Sequence, residues 1–518
     1  MDSLSLTEIK PDTIHEGAKM RRSLPFAAAL AATAFLAAGC AASQTVPDAA
    51  PLADPEAWRA TPPAPGEPPE LVTPRFERFE LPNGLQVLVS ERHELPIVSV
   101  GVALRAGSAA DPEGKEGLAQ LTYQLLLEGA GKRDAVALDD AFADIGTSAS
   151  VSVTEDGALV GTQVLTRNLE EAMSLLADIV QRPRLERASF ELRKKQQLAN
   201  LAAQVGNPRY LAGEAFAAAA FGAHHPYGRL GSGTPASVAR LQVADAKRFY
   251  ERAAGPKAAA IVFAGDITAE RARELAQTSF GSWKGKAVAP QVPKAPEVAA
   301  RARVVVVPKP GLSQTVIMMG RPAIAVGDPD EFDLNLASMV FGGTFGSRLN
   351  MNLREDKGYT YGARSYVDSR LGVGPIVASS AVRADVTGAA IAEFMKEMHD
   401  LDTRPISEDE LEAAREGRIR SLPGSFETVG GLAYAAASLF WYDLPLDRFE
   451  RLVEGYEAAT PETVQAAARR YLDPSMMQIV LVGDPEIVSE QVGSMGLGPI
   501  VEYALDAAPA MRGKAGGK

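Results

Sequence analysis

Apolar positions along this chain fall into two kinds of run. Leu85-Gln-Val-Leu-Val89 and Val98-Ser-Val-Gly-Val-Ala-Leu104 are short and β-branched, and they predict strands, with a turn at Pro82-Asn83-Gly84. Two more strands are predicted near 148–153 and 158–165. Helices are predicted near 116–128, 134–143, 168–181, 186–204 and 209–221. Leu169, Ala172, Met173, Leu176 and Ile179, for example, recur at helical spacing. Strand pairs followed by runs of helices predict an α+β layer, one mixed and mostly antiparallel sheet with helices packed on one face.

The pattern then repeats. Ala258-Ala-Ala-Ile-Val-Phe-Ala-Gly-Asp266 reads as a buried strand closed by Gly-Asp, and so does Met477-Gln-Ile-Val-Leu-Val-Gly-Asp484, offset by 484 − 266 = 218 residues. Upstream of each lies a Thr-Pro helix start, Thr234-Pro235 and Thr460-Pro461, leading to an amphipathic helix that ends in Tyr250 or Tyr471. Ala119 and Ala337 sit in similar segments, again 218 apart. Landmarks at one offset imply a duplicated domain of about 220 residues. The proline-bearing stretch 284–300 is the natural hinge between copies, at 75–283 and 301–495.

The ends differ from this body. Met20-Arg21-Arg22 precedes an apolar run from Leu24 to Ala38 that closes in Gly39-Cys40, the sole cysteine. Fifteen residues are short for a span of about 20, and the cysteine falls where a bacterial lipoprotein signal places its acylated residue. Residues 1–40 are therefore expected to be a signal segment. The acidic residues before Met20 suit neither a signal nor a core, which leaves Met1 and Met20 both open as the start. Ala41 follows the cysteine in place of the Asp that retains such lipoproteins at the inner membrane, so a periplasmic protein lipid-anchored at the outer membrane is expected. Residues 41–74 hold nine prolines in 34 positions and form a tether reaching on the order of 100 Å. Residues 496–518 are an extension ending in a loose tail.

Composition narrows the chemistry. The 53 Lys+Arg against 65 Asp+Glu give −12, without a basic block, so no nucleic-acid partner is expected. One cysteine excludes internal disulfides and Cys-rich zinc sites, and five histidines leave few options for a metal centre. His224 and His225 are adjacent and diverge, so they are read as structural or surface residues. No dinucleotide fingerprint, phosphate-binding P-loop or Gly-x-Ser-x-Gly elbow occurs.

Leu81-Pro-Asn-Gly-Leu-Gln-Val87, Arg105-Ala-Gly-Ser-Ala109, Gly117-Leu-Ala119, His225-Pro-Tyr-Gly228, Phe341-Gly-Gly-Thr-Phe-Gly-Ser-Arg-Leu349 and Leu353-Arg-Glu-Asp-Lys-Gly-Tyr-Thr-Tyr361 occur in that order. From about Phe79 to Ile487 the chain thus resembles the pitrilysin/insulinase zinc peptidases. The resemblance implies two homologous domains forming one half of a clamshell. That family's zinc helix carries His-x-x-Glu-His, two imidazoles on one face and a glutamate base between them, with a distant glutamate as third ligand. Here Gln120, Tyr123 and Gln124 stand at those positions, and Asn200, or a neighbour within 196–201, stands at the third. Neutral amides are weak Zn²⁺ ligands and supply no base. No metal or other cofactor is therefore expected on this chain.

Family members of the bacterial two-chain type split the work, and their zinc-less subunit holds an Arg and a Tyr. Arg354 and Tyr361 match that pair in identity and in a spacing of seven. The resemblance implies that they donate to a developing oxyanion, with zinc on a partner chain bearing His-x-x-Glu-His and an unfolded peptide as substrate. Ser148, Ala149, Ser150 and Val151 fall where the family's edge strand pairs with extended substrate; cover by the partner is the alternative. Two functions stay open: a catalytically incomplete subunit of a periplasmic metallopeptidase, inactive alone, or a non-catalytic peptide- or protein-binding scaffold of the envelope.

If Cys40 is acylated, Cys40→Ser moves the protein into the soluble periplasmic fraction or leaves its signal uncleaved. A mature-length mutant that still fractionates with membranes contradicts the anchor.

Overall fold

The computed structural model of the chain describes residues 71–287, 291–297 and 301–503, the backbone of 511–513, and the isolated positions 59 and 66. The signal segment, Cys40 and most of the tether lie outside the described residues. The fold described below belongs to one compact unit, residues 70–518.

The first half runs β1 Glu77–Glu80, β2 Gln86–Glu91, β3 Ile97–Leu104, α1 Leu118–Leu125, a short hairpin of β4 Gly129–Ala130 and β5 Arg133–Asp134, α2 Ala135–Asp144, β6 Ser150–Val153, β7 Ala158–Leu165, α3 Leu169–Gln181, α4 Arg187–Gln204, α5 Pro208–Phe221, α6 Pro235–Arg240, α7 Val243–Ala253, β8 Ala259–Gly265 and α8 Ala269–Phe280. The second runs β9 Arg303–Pro308, β10 Gln314–Ile324, α9 Glu331–Ser338, α10 Arg348–Asn350, β11 Thr360–Val367, β12 Gly374–Arg383, α11 Thr387–Thr403, α12 Glu408–Phe426, α13 Val429–Trp441, α14 Arg448–Ala458, α15 Pro461–Tyr471, β13 Gln478–Gly483, α16 Pro485–Val492, β14 Ile500–Tyr503 and β15 Met511–Gly513.

The duplication is visible in the sheets. From one edge inward the strand orders are β6-β7-β3-β8-β2 and β11-β12-β10-β13-β9. In both, one inner pair is parallel, β2 with β8 and β9 with β13, among antiparallel neighbours. The copies part at the far edge, where β1 joins β2 antiparallel but β14 joins β9 parallel. β15 then pairs with β14, so part of the expected loose tail extends the second sheet. The single helix expected from Thr234 to Tyr250 is broken in two. Leu241 is extended, and Gln242 with Asp245 opens a new capping box. Its counterpart α15 runs unbroken from the Thr460 cap to Tyr471.

Each sheet packs its own helices on one face. Val98, Val100, Val102, Ile261 and Phe263 point to the core shared with α1, α3 and α7, and Ile317, Met319, Ile479 and Leu481 to that shared with α9, α11 and α15. The alternate residues of the same strands are buried too, under a helix from the other half. Leu88, Ala103, Ala260, Val262 and Ala264 lie under α13, while Val305, Val307, Val316, Val480 and Val482 lie under α5. Burial on both faces explains why β8 and β13 read as continuous apolar runs.

The crossing helices are built from small residues. Ala215, Ala218, Ala219 and Ala220 on α5, and Ala433, Ala435, Ala436 and Ala437 on α13, let helix and sheet approach closely. At Gly320 on β10 a Cβ would meet the Ile376 carbonyl of β12 and lie 2.9 Å from the Phe216 ring of α5, so a side chain there would disturb both strand and helix. The C-terminal carbonyls of the two helices are held by arginines of the opposite half. Arg105 donates through Nε (3.0 Å) and Nη2 (2.6 Å) to the Phe440 carbonyl, and Arg303 donates to that of Ala219. No described helix is long and apolar enough to cross a membrane.

Because neither sheet is covered without the other half, the two halves should unfold together. Leu439→Ala on α13, a fully buried site, is expected to cost about 2–5 kcal/mol and to lower one cooperative calorimetric transition. Two separated transitions would contradict the interlock.

Candidate functional site

The helix at the position of the family's zinc helix begins at Gly117, whose φ of +91° turns the backbone into α1. A Cβ there would meet Gln197 and the Ser232 carbonyl at 2.7 Å. The buried Asp111 carboxylate accepts from the N–H groups of Gly117 (2.9 Å) and Ala119 (2.7 Å), and so caps the helix from a distance. Burial pushes Asp111 up to about 8, against those two N–H groups and nearby Arg229, which favour its charge.

Tyr123, at the position of the family's glutamate, is fully buried. Its hydroxyl donates to the Ala106 carbonyl at 2.7 Å, and its ring meets Phe249 and Tyr250 edge-on. Burial raises its pKa, so the phenol stays protonated and fixed in the core. Gln120 and Gln124 are half-buried on the same helix, and Asn200 is exposed on α4. The α4 side chain that reaches α1 is Gln197, one turn earlier, donating to the carbonyls of Gly117 (3.3 Å) and Ser232 (2.7 Å). Among the described residues no group of three His, Cys, Asp or Glu is placed to hold a metal ion.

The two histidines are structural or peripheral. His224 pairs with Glu113 at 2.6 Å in the open. His225 accepts from the Tyr227 N–H at Nδ1 (3.0 Å), so Nε2 carries the proton and donates to the Lys294 carbonyl at 2.8 Å. Burial lowers its pKa, in keeping with a neutral ring. Beside it the halves are joined through Asp156. Its carboxylate accepts from the Tyr227 hydroxyl (2.6 Å) and the Leu371 N–H (2.9 Å), and Tyr227 in turn accepts from the Gly372 N–H (3.0 Å). A cavity of about 980 Å³ opens here, lined by Ala106, Phe249, His225, Pro293 and Leu371; Gln120, Gln124, Arg354 and Tyr361 do not line it.

Each sheet exposes one corresponding edge. In the first it is β6, which begins only at Ser150, so exposed Ser150 and half-buried Val151 lie on the strand while exposed Ser148 and half-buried Ala149 precede it, the Ser148 carbonyl held by Thr162 Oγ1 at 2.8 Å. In the second it is β11, and here the structure places Arg354 and Tyr361. Arg354 stands in a π-helical turn, Met351–Asp356, packed on β11. Its guanidinium lies 4.5 Å from the centre of the Phe345 ring, and its Nε is 3.2 Å from Glu355. Tyr361 is 91% exposed, at the point where β11 slips register against β12 between Thr360 and Ala363. With Phe345 (58%) and Met351 exposed beside this segment, the second half presents cation, phenol and apolar surface together. Underneath, buried Arg348 grips Glu410 at 2.6 and 2.8 Å. Burial alone would raise Glu410, but Arg348 and the Ser407 cap hold it at about 2.

Residues 86–230 match the family model described as Insulinase (Peptidase family M16), and residues 240–418 match that described as Peptidase M16 inactive domain. An uncharacterized zinc protease of Mycobacterium leprae is 26% identical over 293 residues, 56% of this chain and 65% of that protein, so the chain spans just under two thirds of that relative's length. The non-peptidase homolog YmxG of Helicobacter pylori is 23% identical over 365 residues, 70% of this chain and 83% of its own. The crystal structure of a peptidase M16 inactive domain from Pseudomonas fluorescens superposes with a TM-score of 0.72 at 27% identity, covering 79% of this chain and 98% of that one.

With a buried tyrosine and two amides on α1, the purified chain should bind no stoichiometric zinc. Elemental analysis finding one tightly held Zn²⁺ per chain would contradict this.

Proposed function

This chain belongs to the insulinase (M16) family of peptidases, and we propose that within it the chain is a zinc-less partner subunit that supplies Arg354 and Tyr361 to peptide hydrolysis on a second, zinc-bearing chain. One contrast carries the reading. The first half has packed the catalytic position inward as Tyr123, while the second half leaves Arg354 half-exposed and Tyr361 almost wholly exposed on an unpaired sheet edge. An aromatic hydroxyl at 91% exposure gains nothing from burial in this chain, and the Arg354 turn packed on the same strand supplies a cation suited to an anion.

Chemically, the pair would act as donors. When an amide carbonyl is attacked, its oxygen gains negative charge that is absent in the substrate. A guanidinium and a phenol aimed at that oxygen lower the barrier without taking up a proton, and one such donor is worth about 10²–10³ in rate. The zinc that activates the attacking water would belong to a partner with His-x-x-Glu-His, since Gln120, Tyr123 and Gln124 do not fit it. The exposed edge at Ser148–Val151 would hold extended peptide by main-chain pairing, which accepts many sequences. Lipidation at Cys40 and a periplasmic, outer-membrane address complete the proposal.

A peptide- or protein-binding scaffold without catalysis is the second reading, favoured by the name of the Helicobacter pylori relative, a non-peptidase homolog. Kinetics separate the two. In complex with its zinc-bearing partner, Arg354→Ala or Tyr361→Phe should lower kcat on an unfolded peptide by about 10²-fold or more with assembly intact. Arg354→Lys should restore little, because it keeps the charge but not the planar fork. Unchanged kcat in both variants rejects the catalytic role; lost assembly makes the pair structural.

A further inference from the structure

Resting on that reading of Arg354 and Tyr361, we propose that Asn350 is the positioning residue of the pair. Asn350 ends α10, directly before the π-helical turn that carries Arg354, and is only 6% exposed. Its carboxamide makes three bonds to two other segments at once. Oδ1 accepts from the Ala363 N–H at 2.8 Å, and Nδ2 donates to the Ala363 carbonyl at 2.6 Å and to the Thr344 carbonyl at 2.9 Å.

The pairing with Ala363 fixes Tyr361. β11 is an edge strand, and its register against β12 breaks between Thr360 and Ala363, so Tyr361 and Gly362 lie in a bulge without regular ladder partners. Ala363 is the first residue after that bulge. By taking both its N–H and its carbonyl, Asn350 does what a neighbouring strand would do and sets where the bulge ends. The bond to Thr344 fixes Arg354 by another route. Phe345 follows Thr344, and its ring is the platform over which the Arg354 guanidinium lies at 4.5 Å. Phe345 itself is 58% exposed, an aromatic ring left in solvent beside the cation it meets.

Only a primary amide of this length offers an acceptor and two donors here. Aspartate keeps the shape but sets a carboxylate against two carbonyl oxygens. The shape-conserving change therefore disturbs both routes together.

The test uses the complex of this chain with the zinc-bearing chain that copurifies with it and an unstructured fluorogenic peptide. Asn350→Asp should lower kcat by about tenfold to a hundredfold and leave KM within about twofold. In an Arg354→Ala, Tyr361→Phe background the same change should cost less than about twofold, because the groups it aims are already gone. Phe345→Leu removes the ring under Arg354 at a site that is 58% exposed and decides the matter should Asn350→Asp fail to fold. It should lower kcat about two- to fivefold, with Phe345→Tyr restoring it. If Arg354→Ala is harmful while Asn350→Asp and Phe345→Leu leave kcat unchanged, or if the Asn350→Asp loss multiplies in full in the double background, Asn350 is merely structural and the functional reading stands without it. If Arg354→Ala is harmless, the functional reading fails and the role of Asn350 falls with it.

Discussion

Everything else in this molecule rests on two helices that cross between its halves. A sheet with apolar residues on both faces has to be covered twice. Each half supplies helices for one face of its own sheet and lends one helix to the other: α5 covers Val305, Val307, Val480 and Val482, and α13 covers Leu88, Ala260 and Val262. The arginines that hold the ends of these helices, Arg105 on Phe440 and Arg303 on Ala219, are exchanged in the same way. An internal duplication thereby becomes one cooperative body instead of two beads on a linker.

That interlock lets the two halves diverge in surface chemistry while keeping the same strand order. In the first half the helix at the family's zinc position is packed into the core. Tyr123 fills the space against Phe249 and Tyr250 and satisfies its hydroxyl on Ala106, while Gln197 ties α4 to the start of α1. In the second half the equivalent edge keeps polar and aromatic groups outward, on a turn anchored below by Arg348 and Glu410.

The wide π-helical turn and the slipped register of β11 meet at one place, and Asn350 is the side chain that bonds across it. Irregular backbone of this kind survives only where its polar groups find partners. Here they are found in a side-chain amide instead of a strand, which leaves the sheet edge open and still ordered.

How much of this was legible from residues alone follows from the range of the forces involved. Strand and helix identity came through because burial periodicity is local: β3, α3 and α5 lie within a residue or two of their predicted bounds, and the 218-residue offset exposed the duplication. The residue types at the family's zinc positions, Gln120, Tyr123 and Gln124, are read directly from the chain, and none of them is an imidazole or a carboxylate wherever it points. The break between α6 and α7 was hidden, because it turns on one extended residue, Leu241, inside an otherwise amphipathic run. The third zinc position was read as Asn200 or a neighbour within 196–201, and inside that span Gln197 bonds to the start of α1, because helix phase decides which of two amides a turn apart meets a neighbour. Asp111 and Asn350 gave no signal at all, and Phe345 came only as one letter of a family signature without a role. Sequence by itself determined the repeated layers and the residue types at the family's zinc positions. Tertiary structure alone decided which half covers which sheet and which amide holds Tyr361 in place, because both are contacts between segments that chain order leaves free to pair in several ways.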